Sequence, residues 1–301
     1  MIEVKDICIE YSGKSVLSNI NFKLNEGEIL GLVGHNGAGK STMFKGILNF
    51  VPLKSGKIVF NNNIISDNIY NEIGYLPEER GLDLKSTVQD QIIYFSELKG
   101  CKRADILPEI DTWLNLLDVK GKKKDKIKSL SKGNQQKIQL ICTFIHNPKF
   151  IILDEPFSGL DPTNIKNLKE IILKLKENGT AIIFSSHNMD SIEDVCDKIL
   201  MIKNGNTVLN GSVTSIRESY GRKNILIESK NNILYLNSIQ GVTKIDNIGN
   251  DKWLININDE SVGEEVFKEL FLHEGHVNLF SQEPPTLYEI FNLEMGGGKY
   301  E

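Results

Sequence analysis

Paired cysteines, a long apolar run and an excess of basic charge are all missing from this 301-residue chain. Its four cysteines, Cys8, Cys101, Cys142 and Cys196, stand singly in apolar or helical surroundings. That spacing signals neither a disulfide framework nor a zinc site, and they read as reduced, mostly structural thiols. No segment approaches the roughly 18 uncharged apolar residues of a membrane span, and Met1-Ile2-Glu3-Val4-Lys5-Asp6 has no basic stretch leading into an apolar core. The expectation is a cytoplasmic chain that does not cross a membrane by itself. A net charge of -5 excludes a dominant electrostatic grip on nucleic acid. What remains, at 40% hydrophobic and 25% charged, is enough to bury a core in roughly two domains.

The most informative residues are Gly34, His35, Asn36, Gly37, Ala38, Gly39, Lys40, Ser41 and Thr42, after the apolar run Ile29-Leu30-Gly31-Leu32-Val33. They fit the phosphate-binding P-loop at each constrained position. Glycines let backbone N–H groups close around phosphates, Lys40 reaches the β and γ phosphates, and the Ser41 hydroxyl can ligate Mg²⁺. A helix beginning near Gly39, with Met43, Phe44, Ile47 and Leu48 on its apolar face, adds its positive end to the same anion. The chain is expected to bind a nucleoside triphosphate.

About a hundred residues beyond Lys40 comes Phe150-Ile151-Ile152-Leu153-Asp154-Glu155-Pro156. An apolar run too short for a helix and ending in two carboxylates is the Walker B pattern: a buried parallel strand delivers Asp154 to Mg²⁺ at the sheet edge, and Glu155 is placed to polarise water. Between the two motifs lies Leu130-Ser131-Lys132-Gly133-Asn134-Gln135-Gln136-Lys137, where a hydroxyl and a glycine open an amphipathic helix.

That stretch resembles the LSGGQ signature of ATP-binding cassette (ABC) proteins, with Lys132 in place of the first glycine and Asn134 in place of the glutamine. In that family the signature closes over the ATP of a partner subunit, Ser131 and Gly133 being the positions expected at the γ-phosphate. The resemblance also implies a D-loop in Ser158-Gly159-Leu160-Asp161-Pro162, which crosses the dimer interface at Asp161, a γ-phosphate contact from His187 at the end of Phe184-Ser185-Ser186-His187, and adenine stacking by Tyr11. Glu78, after Ile73-Gly74-Tyr75-Leu76-Pro77, stands where the family usually has a glutamine that contacts Mg²⁺ and the attacking water. A carboxylate there keeps a metal ligand but adds negative charge near the γ-phosphate, so altered metal or pH dependence is expected. The form Leu76-Pro77-Glu78-Glu79-Arg80-Gly81 resembles a subset of bacterial ABC exporter ATPases that includes sodium-extrusion systems.

The implied fold is α/β: a P-loop NTPase cassette over residues 1–215, with a RecA-like core, an antiparallel β subdomain and a helical subdomain at about 87–130. The helical spacing of Val88, Ile92, Phe95, Leu98 and of Ile110, Trp113, Leu114, Leu117 marks that subdomain. The lysine run from Lys120 to Lys126 lacks interleaved aromatics and is read as a solvated connector, with anionic lipid headgroups as the alternative contact. The cassette is expected to end around Asn204-Gly205-Asn206-Thr207-Val208-Leu209-Asn210-Gly211, a hairpin-like stretch with turn glycines. Residues 216–301 read as a small α+β accessory domain. A helix at Ser212–Tyr220 leads to runs at Ile225–Ile227, Ile233–Leu236, Val242–Ile245 and Trp253–Ile257, followed by a helix near Gly263–Leu272, a strand near Val277–Phe280 and a last helix at Thr286–Phe291. His273-Glu274-Gly275-His276 lacks the intervening residue of the zinc-protease motif and reads as a helix-to-strand turn.

The resemblance implies the ATP-hydrolysing subunit of an ABC transporter, an exporter by its subset. Lys40 and the loop amides hold phosphates, Ser41, Asp154 and Glu78 hold Mg²⁺, Glu155 acts on water and His187 senses the γ-phosphate. The implied partners are an integral membrane permease and a second ATPase subunit, in a homodimer or heterodimer on the inner face of the membrane, with no nucleic acid. The alternative is a soluble ABC ATPase acting on ribosomes or DNA, although such relatives usually carry two cassettes or a long insert and this chain has one P-loop.

Overall fold

A computed structural model describes residues 1–61, 63–64, 67–79 and 81–296; Arg80 of the Leu-Pro-Glu-Glu-Arg-Gly motif lies outside them. The chain divides into two compact units, Met1–Gly211 and Ser212–Glu301.

In the first unit, β1 (Ile2–Tyr11), β2 (Lys14–Leu24), β3 (Ile29–Val33), β4 (Ser55–Phe60), β5 (Asn63–Ile64), β6 (Ile73–Leu76), β7 (Phe150–Asp154), β8 (Ala181–Ser185), β9 (Lys198–Lys203) and β10 (Asn206–Ser212) form two sheets. One is antiparallel, in the order β2-β1-β4-β5. The other runs β10-β9-β3-β8-β7-β6, with parallel pairing from β9 through to β6. Every residue of β3, β7 and β8 is buried, which is why those strands read as unbroken apolar runs rather than alternating ones. Asn204 and Gly205 both take positive φ, 50° and 77°, the geometry of the tight turn that joins β9 to β10.

Helix α1 (Lys40–Ile47) follows β3 and fills the space between the sheets. Met43, Phe44 and Ile47 share one buried cluster with Ile7, Ile9 and Leu17 of the antiparallel sheet and with Leu30, Ile152 and Ile183 of the parallel one. Each such side chain contributes roughly 1.5–3 kcal/mol on burial, so the loop before α1 is anchored at both ends by core. Helices α2 (Val88–Leu98), α3 (Arg103–Ile106), α4 (Glu109–Leu116) and α5 (Lys132–Phe144) come next. Thr87 caps α2 by accepting the Asp90 N–H, and Val88, Ile92, Ile110, Leu114 and Leu117 are buried while Leu98 is exposed. Helices α6 (Pro162–Glu177) and α7 (Met189–Val195) flank β8 in sequence. Burial pushes the Cys142 thiol up to about 12 and raises that of Cys196 well above its usual value, leaving both inert.

The second unit holds α8 (Val213–Ser219), β11 (Asn224–Glu228), β12 (Val242–Gly249), β13 (Lys252–Ile257), α9 (Val262–Glu274), β14 (Leu279–Glu283) and α10 (Leu287–Met295). Its sheet is antiparallel in the order β12-β13-β11-β14, and Ile225, Ile227 and Ile255 pack with Val266 and Leu270 of α9. Thr286 and Glu289 form a reciprocal cap at the start of α10. The run Ile233–Leu236, read as strand-like, instead enters a 3₁₀ turn at Leu234–Ser238. Ile233 and Leu236 are both buried, and that i, i+3 spacing suits three residues per turn rather than two. The strand expected near Val277 begins at Leu279. Gly275, at φ 67°, ends α9, so the His273–His276 stretch is a helix-to-strand turn.

Candidate functional site

The parallel sheet brings the chemistry together at its carboxyl edge. Strand β8 lies between β3 and β7, and β6 borders β7. The loop after β3, the last residue of β7 and the residues after β6 therefore open onto one side, where ligands bind in such sheets. There a cleft of about 290 Å³ is lined by Val16, Asn36, Gly37, Gly39, Lys40, Ser41, Thr42, Glu78, Asp154 and Glu155.

The loop is shaped by close approaches. A Cβ at Gly34 would lie 2.5 Å from the Ile202 carbonyl, and Gly39, at φ 113°, takes a conformation that favours glycine and stands at the N-cap of α1. With Gly39 in that position, the first N–H groups of α1 face the cleft from the helix end that attracts anions. Lys40, largely buried, donates from Nζ to the carbonyl of Gly34 at 2.6 Å and to that of His35 at 3.4 Å. Burial pushes its ammonium pKa down, while the carboxylates of Glu155, Asp154 and Glu78 pull the other way. His35 lies beside the Asn36 carbonyl, and the buried Ala38 donates its N–H to the His35 carbonyl.

Asp154 is 3% exposed and accepts a 2.7 Å hydrogen bond from the Ser185 hydroxyl. The same hydroxyl accepts the Glu155 N–H at 3.0 Å. Ser185 is thus the hinge of the acidic pair, a role sequence reasoning missed. The signal is register, since Asp154 and Ser185 are paired directly across β7 and β8. Glu155 takes φ 49°, an uncommon conformation for a residue with a side chain, and its neighbour Pro156 disfavours the right-handed helical alternative. The Ser185 contact and the Ser158 N–H, which donates to the Glu155 carbonyl at 3.1 Å, hold it there. The Glu155 Oε2 accepts from His187 Nδ1 at 2.9 Å. On β6, burial pushes the Tyr75 phenol up to about 12, with the Asp154 and Glu78 charges adding to the effect.

Eight expected site residues are not among those lining this cleft: Gly34, His35, Ala38 and His187, whose contacts are given above, and Tyr11, Ser131, Gly133 and Asp161. Tyr11 is exposed at the end of β1, on the hairpin whose second strand contributes Val16, a wall residue the sequence reading passed over. Ser131 caps α5, accepting from the Asn134 backbone N–H at 3.3 Å and its side-chain amide at 2.9 Å. Gly133 lies beside the Gly159 carbonyl, which a Cβ would meet at 3.5 Å. Asp161 caps α6 through the Asn164 N–H at 3.0 Å, and those Asn164 hydrogen bonds lower its carboxyl pKa.

The cleft offers the Ser41 hydroxyl and three carboxylates, a set of hard oxygen donors that fits Mg²⁺. Among the described residues no three His, Cys, Asp or Glu side chains converge on one metal position. A separate apolar cavity of about 240 Å³ lies in the same unit, walled by Phe50, Tyr75, Phe95, Gln139 and His146 among others.

Residues 17–158 match the ABC transporter family, and residues 211–292 match the C-terminal domain of DrrA1-3-like ATP-binding proteins. The ABC transporter ATP-binding protein YhaQ of Bacillus subtilis (strain 168), itself uncharacterized, is 36% identical over the full length of both chains. The linearmycin resistance ATP-binding protein LnrL of the same organism is 28% identical, with 97% of each chain covered. The solved structure of an ATP-binding subunit of an ABC transporter superposes with a TM-score of 0.69 at 30% identity, covering 73% of this chain and 93% of that one. An end-to-end relative, joined to a fold that gathers its P-loop and acidic residues around one cleft, settles the assignment: the chain belongs to the ABC transporter family, as an ATP-binding and ATP-hydrolysing subunit that powers a membrane permease.

Proposed function

We propose that the chain is the ATPase of an exporter and that it works as a pair of copies, or with a second ATPase chain, on the cytoplasmic face of the membrane. Residues 1–215 are the cassette and 216–301 an accessory domain in regulation or dimer contact. The observation that carries the hydrolytic reading is the Glu155 carboxylate, turned toward the cleft that holds Lys40 and joined to His187. In this reading the amides from Gly34 to Thr42 and Lys40 hold the phosphates, Glu155 takes a proton from the attacking water, and His187 meets the γ-phosphate. Ser41, Asp154 and Glu78 hold Mg²⁺, which supplies charge neutralisation at the phosphates. Tyr11 stacks on adenine.

Because Ser131 and Gly133 lie outside the lining of their own cleft, they are assigned to the ATP of the partner subunit, with Asp161 at the same interface. Closure on ATP and opening after hydrolysis then move the permease. The helical subdomain at about 87–130 is the docking region. No helix among the described residues is long and apolar enough to cross a membrane, so the cargo pathway belongs to another chain. Export rests on likeness to LnrL, a resistance protein, and on the DrrA1-3-like second unit. No nucleic-acid partner is proposed.

The test is to purify the tagged chain from detergent-solubilised native cells and identify by mass spectrometry what accompanies it. A stoichiometric multi-span membrane protein is expected. Ribosomal or DNA-repair proteins in its place would overturn the reading.

A further inference from the structure

Between Asp111 and Lys132 the sequence places seven lysines against three aspartates, in a chain whose net charge is -5. The segment is not a loose connector. Val88 donates its N–H to the Asp125 carbonyl at 3.0 Å and Gln89 to that of Lys123 at 2.9 Å; Ile127 donates to Ser86 at 3.0 Å and Lys128 to Leu84 at 3.1 Å. The Lys120 N–H is held by the Asn134 side chain at 2.9 Å, and Ile127 is fully buried. The ribbon is therefore fixed against the start of α2 and against α5, and the Asp125 carboxylate accepts the Lys122 N–H at 2.8 Å within it. Lys120 pairs with Asp118 and Lys123 with Asp111. Lys122, Lys124, Lys126 and Lys128 are exposed and make no ion pair among the described residues.

We propose that this ribbon is a docking surface for anionic phospholipid headgroups. Several exposed lysines on one anchored ribbon of an otherwise acidic protein match a surface of smeared negative charge, to which each lysine adds when it lies within a Debye length. The ribbon from Asp118 to Lys132 contains neither arginine nor an aromatic ring, the side chains that would read phosphate forks or stack on bases, so a bilayer fits it better than RNA. Leu84 is half exposed and its carbonyl accepts the Lys128 N–H at 3.1 Å, so the segment paired with the ribbon also carries an apolar residue able to meet the acyl-chain boundary. The inference does not depend on the export reading, because the surface belongs to this chain alone.

The experiment is vesicle flotation of the full chain without permease. It compares phosphatidylcholine vesicles with vesicles containing about 30% phosphatidylglycerol at about 0.1 M salt. Selective binding to the anionic vesicles is expected, released at high salt. Replacing Lys122, Lys124, Lys126 and Lys128 together by glutamine should lower the partition coefficient by up to roughly 1,000-fold. The corresponding four-arginine variant should bind as the parent does, and basal ATP turnover of both variants should be unchanged. Equal binding to both vesicle types, full binding by the glutamine variant, or tighter binding of a single-stranded RNA than of anionic vesicles at the same salt would each overturn the proposal.

Discussion

His187 donates from Nδ1 to Oε2 of Glu155 at 2.9 Å, joining a side chain that is 68% exposed to one that is 14% exposed. With the Nδ1 proton held by the carboxylate, the exposed Nε2 can donate to a phosphate only when the ring carries a proton on both nitrogens. The bond also orients a carboxylate whose backbone is already held in an uncommon conformation. Replacing His187 by alanine should therefore lower ATP turnover roughly 10- to 100-fold with little change in nucleotide affinity. Steady-state phosphate release beside equilibrium ATP binding checks this, and a loss confined to affinity would place His187 outside the chemistry.

Ser185 serves both acidic residues at once, donating to Asp154 and accepting from the Glu155 backbone. Ser185→Ala leaves a buried carboxylate oxygen and an N–H without those partners, at a cost of about 1–3 kcal/mol in stability. Turnover should fall by about tenfold or more, as Glu155 is freed from its turn. Urea unfolding and turnover of the variant measure the two effects, and turnover at the parent's level would show that the Ser185 contact does not position Glu155.

Glu78 makes the third carboxylate of the cleft. In Glu78→Gln one negative charge leaves the neighbourhood of the phosphates. Metal-free ATP should then bind several-fold tighter, a change of order 1 kcal/mol. The Mg²⁺ concentration needed for half-maximal turnover should rise. Titrating nucleotide in chelator and Mg²⁺ during turnover tests both, and unchanged curves would remove Glu78 from the metal and phosphate field.

His146 supplies a pH signature in stability. Burial, with the Lys99 charge second, pushes its imidazole down to about 4. The unfolded chain takes up the proton near pH 6.5 while the native chain does not, so the contribution is complete above about pH 6.5 and is lost as pH falls toward about 4, by at most about 3 kcal/mol. His146→Leu should be less stable at pH 7, because the Nε2 contact with the Ile73 carbonyl is gone, yet lose less between pH 7 and pH 5 than the parent. Parallel losses in urea midpoints at the two pH values would show that His146 is not buried neutral.

The parts of the site legible in sequence are those fixed by local spacing. The glycines before Lys40 and the apolar run ending at Asp154 each state their geometry within a few residues. Ser185 was hidden because its role arises from the register of two strands thirty-one residues apart, and Val16 because a hairpin wall carries no motif. In the second unit, Ile233 and Leu236 fit either a short strand or a tight helical turn, since four apolar-rich residues are too few to fix a period. Only packing against α9 and the sheet decides between them.

In the proposed reaction Glu155 is the proton acceptor of ATP hydrolysis, and Glu155→Gln tests that role most directly. Glutamine keeps the size of the side chain and an oxygen for His187 but cannot take a proton at neutral pH. The measurement is single-turnover hydrolysis of bound ATP by the variant, with ATP affinity determined on the same preparation. Affinity within a few-fold of the parent, with hydrolysis slowed by about 100-fold or more, is the predicted result. Hydrolysis at close to the parent rate would contradict it and reassign the chemistry of the cleft.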